Sequence, residues 1–250
     1  DPRTGQEKTQ VAVMFNGIFN DIQASAKYAV QNYIGQQSEP GGQVDTRLYE
    51  NIHLINNPPA ASTLGENMVA VYQKMLEGLV GEPGNSTEQA VELGEQYGQQ
   101  GLFMGAHSRG SLTVANALGE LQRRPGAQGV LKETDIKMVG PAANVANSDR
   151  KFGHLQGQGE TARHIVLENS ALDFVGSLIG LNPATGDTNL KGKSWWSYTL
   201  DIFGGDSSAH NCYGFGNMQC QYDGYRSEDG QLIMHPGQTI PELLQRKKMD

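Results

Sequence analysis

The sequence feature that most restricts the fold is the segment 101–111, an apolar run that ends in a tight turn around Ser108. A stretch with helical spacing of apolar residues follows at 112–121. Together they predict a buried strand, a sharp turn and a helix, in that order. Such a turn holds its serine in a strained backbone conformation at the tip of the strand, with the hydroxyl exposed. Gly110 then lets the helix pack back on the strand without a Cβ clash.

The turn also has a simpler interpretation. Two residues before the serine, where glycine is usual, this chain has Ala106, the smallest replacement. A serine that only caps the following helix would produce a similar pattern, because Gly/Ser-rich turns often precede helices. The turn alone therefore does not distinguish a nucleophile from a cap.

Length and charge restrict the class of protein. The chain has 250 residues, 37% hydrophobic and 18% charged, which suits one large domain over 1–250 with an irregular extension at 215–250. A net charge of −8 disfavours a duplex nucleic-acid binder. No apolar run approaches the roughly 20 residues of a membrane-spanning helix. The chain begins with Asp1 and shows no signal peptide, so we expect a domain cut from a larger protein or a processed fragment.

Strand and helix patterns alternate along the chain. Apolar runs typical of buried strands occur at four further places: 11–15, 44–55 (one or two strands), 136–139 and 164–168. Helical spacing occurs at four further places: 22–33, 62–80, 86–99 (with Ser86 and Gln89 as a capping box) and 241–248. We expect a polar, Gly-rich loop at 147–160 and irregular chain after 168. The alternation predicts an α/β fold, a mostly parallel sheet flanked by helices, with its site at the carboxyl ends of the strands.

A serine nucleophile needs an acid to orient its base, and Asp173 is the best-placed candidate. It follows the strand expected at 164–168, where a loop returns toward the tip of the nucleophile's strand, and Phe174 and Val175 can anchor that loop. The alternative is that Asp173 caps the short segment 174–181, and the two roles are compatible. The remaining candidate acids are Asp149, Asp187, Asp201 and Asp206.

The base is sought among four histidines that follow Ser108: His154, His164, His210 and His235. In the known hydrolases that carry their serine at such a strand–turn–helix junction, the acid comes next along the chain and the histidine last. The first two histidines precede Asp173 and the last lies in a surface-like tail, so we expect His210 to be the base, although a loop histidine is often merely solvated. His107 is expected to point away from the pocket and to be structural.

Two backbone amides are needed to stabilise an oxyanion, each contributing roughly 3–4 kcal/mol to catalysis. The amide of Arg109 follows the nucleophile, and the amide of Ile18 or Gly17 follows the first strand. The alternative for the second group is an ordinary turn formed by Asn16 and Gly17.

Aromatic residues and lysines cluster between the candidate acid and base, in the segment 191–203. Trp195 and Trp196 there suit a lid or a membrane-surface contact that binds substrate, or they complete the core. A lipid ester is the leading substrate, ahead of a peptide or a small ester. Cys212 and Cys220 either pair in an exported domain or are free thiols, and their spacing makes a poor zinc site.

Four segments, in order, carry a family resemblance: 13–20, 105–111, 171–175 and 209–214. The chain resembles the α/β-hydrolase superfamily, and within it the lipase-like group that includes bacterial lipase and phospholipase effectors. The resemblance covers most of 11–215, while 216–250 match nothing familiar. It implies hydrolysis of a carboxylic ester by Ser108, His210 and Asp173, with no metal and no cofactor.

The chain also resembles toxin domains at the carboxyl ends of contact-dependent inhibition and polymorphic-toxin proteins. That resemblance implies secretion or delivery into a target cell, action on membrane lipid and a cognate immunity protein. Two other classes stay open: a binding module that kept the fold without the chemistry, and a toxin of another activity, such as a nuclease or peptidase. The acidic charge and the lack of clustered metal ligands in the sequence disfavour a nuclease.

Overall fold

The computed structural model describes residues 11–15, 52–55, 85–157, 163–189, 209–213 and 221–224. Five parallel strands form the main sheet in these ranges: β1 (Val11–Phe15), β2 (Ile52–Ile55), β3 (Leu102–His107), β4 (Thr134–Val139) and β5 (Val166–Glu168). Three helices accompany them: α1 (Asn85–Tyr97), α2 (Gly110–Arg123) and α3 (Val145–Gln156). A small antiparallel sheet pairs β6 (Gly186–Asn189) with β7 (Gln221–Gly224). The predicted α/β class with a mostly parallel sheet is confirmed.

The order of strands in the main sheet is β2-β1-β3-β4-β5, which puts β3 in the middle. All six residues of β3 are buried, and this explains its uninterrupted apolar run. In the register of the sheet, Phe15 pairs with Ala106 and His107 pairs with Val139. The carboxyl ends of β1, β3 and β4 therefore meet at one edge of the sheet, where ligand sites of such sheets form.

The main core lies between the sheet and the helices. Helix α2 contacts β1 and β3 and has α1 and α3 as neighbours. It buries Val114, Ala117, Leu118 and Leu121, which recur at helical spacing on one face. The helix ends at Arg123, and Arg124 is extended because the residue before a proline disfavours the helical conformation. None of the helices in the described ranges has both the length and the apolar character needed to cross a membrane.

The Gly-rich loop expected at 147–160 is wrong, because most of that stretch belongs to α3. The side chain of Asn144 accepts a hydrogen bond from the Asn147 amide at 3.0 Å and caps the helix. The helix buries Val145, Ser148, Phe152, Leu155 and Gln156, and it ends at Gly157, which has a positive φ of 83°. The polar residues that suggested a loop form the exposed side of an amphipathic helix.

The other differences are smaller. Strand β4 begins at Thr134 rather than 136, β5 begins at Val166 rather than 164, and α1 begins at Asn85, one residue before the expected cap. The chain after 168 was expected to be irregular, yet it contributes β6 and β7, whose pairing joins residues far apart in sequence. In the segment 44–55, where one or two strands were expected, β2 covers 52–55, and 44–51 lie outside the described residues. The helices predicted at 22–33, 62–80 and 241–248 lie outside the described residues.

We predict that Gly110→Ala destabilises the fold by about 1–3 kcal/mol, the usual cost of overpacking a core. A Cβ on Gly110 would overlap the carbonyl group of Phe15 at the end of β1, so α2 would have to move off the sheet. Gly119→Ala on the same helix is the matched control, since its Cβ would meet only the flexible end of Lys151, 3.4 Å away. That change should be neutral or stabilising by up to about 1 kcal/mol. Chemical denaturation measures both, and equal stability of the two variants would contradict the close packing.

Candidate active site

Ser108 lies between the last residue of β3 and the first residues of α2, as the sequence pattern predicts. Its φ of 53° is positive, which among the non-glycine residues in the described ranges is shared only with Leu181. A non-glycine residue in this region carries strain on the order of 1–3 kcal/mol, and it persists only where surrounding contacts hold it.

Those contacts are hydrogen bonds of the Ser108 backbone. Its amide donates to the carbonyl of Val139 at 3.2 Å, which ties the turn to the end of β4. Its carbonyl accepts from the Ser111 hydroxyl at 2.6 Å and from the Ala142 amide at 3.2 Å. Ser111 also accepts from the Ala143 amide at 2.9 Å, so α2 and the loop after β4 both hold the turn. The strained conformation is therefore built into the junction of three segments.

The carboxylate of Asp173 is almost fully buried in the loop after β5, with 1% of the residue exposed. Its Oδ1 accepts hydrogen bonds from the amides of Val175 and Gly176, at 2.9 and 3.2 Å. Its Oδ2 accepts one from the hydroxyl of Tyr213 at 2.6 Å. The Nδ1 atom of His210 lies 3.0 Å from both oxygens. Asp173 thus caps the amides at the start of the short π-helical turn Val175–Ile179, which is the alternative considered from sequence, and it also contacts the candidate base. Its role as the acid that orients a base stays a prediction.

The hydrogen bonds hold Asp173 in its charged form. Burial by itself raises the pKa of Asp173, but the adjacent His210 and the bonds from His210, Tyr213 and Gly176 outweigh it. The pKa of Asp173 is therefore lowered from 3.8 to about 2. Burial, and then the charge of Asp173, raise the pKa of Tyr213, which keeps its hydroxyl protonated and able to donate. The same hydroxyl accepts from the Ser170 amide at 2.8 Å.

His210 lies in the short 3-10 turn Ala209–Asn211, with 14% of its side chain exposed. Because its Nδ1 faces Asp173, its Nε2 is the ring nitrogen left for a proton transfer. A Cβ on Gly140 would lie 3.1 Å from this Nδ1 and 2.5 Å from the Asp173 carboxylate. Glycine at 140, where φ is 47°, is what lets the acid–base pair lie against the end of β4.

Ser108 and His210 lie on adjoining parts of the same edge of the sheet. His107, the residue before the serine, has its Nε2 2.9 Å from the His210 carbonyl oxygen. The imidazoles of His107 and His210 are stacked, with 4.7 Å between their centroids. Within the described part of the chain, no hydrogen bond joins the Ser108 hydroxyl to the His210 ring. Catalytic hydrogen bonds of this kind are often long before substrate binds.

The remaining candidate residues divide into two groups. Asp149 accepts from His164 at 2.9 Å and from the Ile165 amide at 2.7 Å, so it holds the start of β5 rather than the base. His154 is exposed on α3, and Asp187 is exposed on β6.

Arg109 follows Ser108 in helical conformation, at the amino end of α2, where backbone amides point outward. Seven other candidates lie outside the described residues: Gly17, Ile18, Trp195, Trp196, Asp201, Asp206 and His235.

Cys212 is buried beside the candidate base and is disulfide-bonded. The sequence contains one other cysteine, Cys220. The amide of Cys212 bonds to the Ala209 carbonyl, and its carbonyl accepts from Tyr222 of β7 at 3.0 Å. The turn that carries His210 is therefore tied to the small sheet as well as to Asp173.

Three residues that matter to this site were missed or misjudged from sequence. His107 was expected to point away from the pocket, and its ring instead covers one face of His210. Tyr213 follows the candidate base by three residues, and a tyrosine so close to a base was a usable signal. Gly140 directly follows β4, the strand that pairs with β3. The close approach of Asp173 and His210 requires glycine at this position.

Comparison of the chain with protein-family models, curated proteins and solved structures finds no match. Function is therefore inferred from the geometry of the site.

We predict that acid weakens the fold through Asp173. Its folded pKa of about 2 lies below the unfolded value of 3.8, so the carboxylate stabilises the fold above about pH 4. That contribution, about 2 kcal/mol, is lost as the pH falls to about 2. The stability advantage of the wild type over Asp173→Asn should shrink over the same range in thermal unfolding. Asp187→Asn, which changes an exposed carboxylate, is the control, and an advantage independent of pH would contradict the assignment.

Proposed function

We propose that this chain is a serine hydrolase that cleaves carboxylic esters on an α/β-hydrolase-like fold. The observation that carries the proposal is the buried Asp173–His210 pair beside a serine whose backbone is strained, at the carboxyl edge of a parallel sheet. A histidine held by a buried carboxylate next to such a serine is the arrangement that activates a hydroxyl for nucleophilic attack.

In the proposed mechanism His210 takes the proton of Ser108 through Nε2 as the serine oxygen attacks the ester carbonyl. Asp173 keeps the other ring proton on Nδ1 and stabilises the imidazolium that forms. The imidazolium then protonates the departing alcohol, leaving an acyl group on Ser108. Water, deprotonated by His210, attacks this acyl group, and the acid product leaves with the serine restored. The amide of Arg109, with that of Gly17 or Ile18, would hold the oxyanion.

The low pKa of Asp173 supports this assignment. A general base is oriented best by a partner that stays ionised when the base becomes charged. Asp173 is ionised throughout the range in which esterases work, because its pKa is about 2. The donors that lower this pKa are parts of the fold, so the orienting charge exists before substrate binds.

We predict that Ser108→Ala lowers ester turnover by about 10⁴-fold or more while the unfolding temperature stays close to that of the wild type. The hydroxyl of Ser108 is needed for covalent attack, whereas the backbone bonds that hold the turn are kept. A fluorophosphonate probe should label the wild type and leave the variant unlabelled. Ser148→Ala on α3 is the control. Equal turnover by Ser108→Ala and wild type, at equal stability, would remove Ser108 from the mechanism.

A lipid ester is the substrate that we propose, for an antibacterial effector domain kept in check by an immunity protein. Three large apolar side chains near Asp173 support an apolar substrate or surface: Leu172, Leu178 and Leu181, which are 38%, 59% and 71% exposed. Asp173 follows the first of them directly, and the other two belong to or follow the π-helical turn that it caps. Trp195 and Trp196 lie further along the chain, in the segment expected to contact membrane.

We predict that Leu178→Ser/Leu181→Ser lowers turnover of phospholipid liposomes at least about tenfold more than turnover of a soluble short-chain ester. Each leucine removed from an interface costs about 1.5–3 kcal/mol of binding when fully buried there. Trp195→Ser/Trp196→Ser should show the same split. Fatty acid released from liposomes measures the first activity and ester absorbance the second. An equal loss on both substrates would show that these side chains make no membrane contact and would remove the membrane part of the proposal.

A further inference from the structure

His107 is the last residue of β3 and only 5% exposed, and its side chain contacts the turn that carries the candidate base. Its Nε2 lies 2.9 Å from the backbone carbonyl oxygen of His210. A carbonyl oxygen accepts and cannot donate, so Nε2 carries the proton and the imidazole is the donor. This bond links positions 103 residues apart in sequence.

A second contact joins the same two residues. The rings of His107 and His210 are stacked, with centroids 4.7 Å apart and an angle of 29° between their planes. The hydrogen bond restrains the backbone of the 3-10 turn, while the stacked ring covers one face of the His210 imidazole. Asp173 restrains the edge of that imidazole through Nδ1. His107 thus restrains the backbone and one face of His210, and Asp173 restrains the edge of its ring.

We propose that His107 is a positioning residue for the base, fixing the backbone turn and the ring orientation of His210 by its hydrogen bond and its stacked ring. This inference rests on the proposed hydrolase function. Because His107 ends β3 and is followed directly by Ser108, the nucleophile and the support of the base cannot move independently. Errors of about 1 Å in such an arrangement cost about 100-fold in rate.

The charge state of His107 suits this role. Burial, and next the charge of His210, lower the pKa of His107 from 6.5 to about 3, while its bond to the His210 carbonyl and the charge of Asp173 act in the opposite direction. Tyr213 also faces it edge-on, at 6.3 Å, and its raised pKa keeps it neutral. His107 is therefore uncharged when His210 becomes an imidazolium during catalysis, and its π face does not repel that cation.

The test compares three substitutions. His107→Gln keeps an N–H donor without the ring, His107→Phe keeps a ring without the donor, and His107→Leu keeps neither. We expect kcat for a soluble ester to fall about 100-fold in the Leu variant, with KM changed less than about twofold, and by intermediate factors in the other two. His164→Gln, at the far end of β5 where the ring contacts Asp149, is the matched control and should retain wild-type kcat.

Amide hydrogen exchange in 209–213 provides a readout that needs no activity. We expect faster exchange there in the Leu variant, less change in the Gln and Phe variants, and no change in the control. Wild-type kcat and exchange in the folded Leu variant would overturn the proposal, as would lower thermal stability with unchanged kcat. If Leu at 107 prevents folding, the Gln and Phe variants decide by the same criteria. A wild type that neither hydrolyses esters nor reacts with a fluorophosphonate would overturn the proposed function instead, and exchange in 209–213 would still decide whether His107 holds the turn.

Discussion

The buried carboxylate of Asp173 is the interaction on which the second half of the described structure depends. An ionised carboxylate removed from water is very costly unless donors surround it. Here the donors come from three places along the chain: the turn at Val175–Ile179, His210 and Tyr213. Folding has to bring them all to one point, and Gly140 leaves the space for them at the end of β4. The loop of Asp173, the turn of His210 and the edge of the sheet are consequently one unit. A change in any of the three alters the surroundings of the Asp173 charge.

The turn around Ser108 shows the complementary principle, in which backbone strain is held by neutral hydrogen bonds. The positive φ of Ser108 is unfavourable in isolation, yet its amide and carbonyl are bonded to β4, α2 and the loop beyond β4. These partners are backbone or short side chains with little freedom to rearrange. The serine is therefore held in one conformation before any ligand arrives, which is the preorganisation that covalent catalysis requires.

Local pattern was sufficient to predict part of this molecule. The bounds of β1 and the strand–turn–helix around Ser108 follow from apolar runs, helical spacing and glycine, because those elements are determined by neighbours in sequence. The pairing of Asp173 with His210 also agrees with expectation, since chain order and strand ends indicate it. Helix α3 was missed because its polar face outweighed the spacing of Val145, Ser148 and Phe152.

The features that the sequence did not predict are contacts between segments that lie far apart along the chain. Nothing near His107 indicates that its ring will meet a histidine 103 positions later, and nothing in β6 alone indicates β7 as its partner. The same separation has a consequence for synthesis. A growing chain has all five strands of the main sheet once residue 168 has been made, and closing the long loop that brings His210 to β3 comes only afterwards. The sheet and Ser108 precede His210 in time, so a ribosome-bound or truncated chain carries the scaffold of the candidate site without its imidazole.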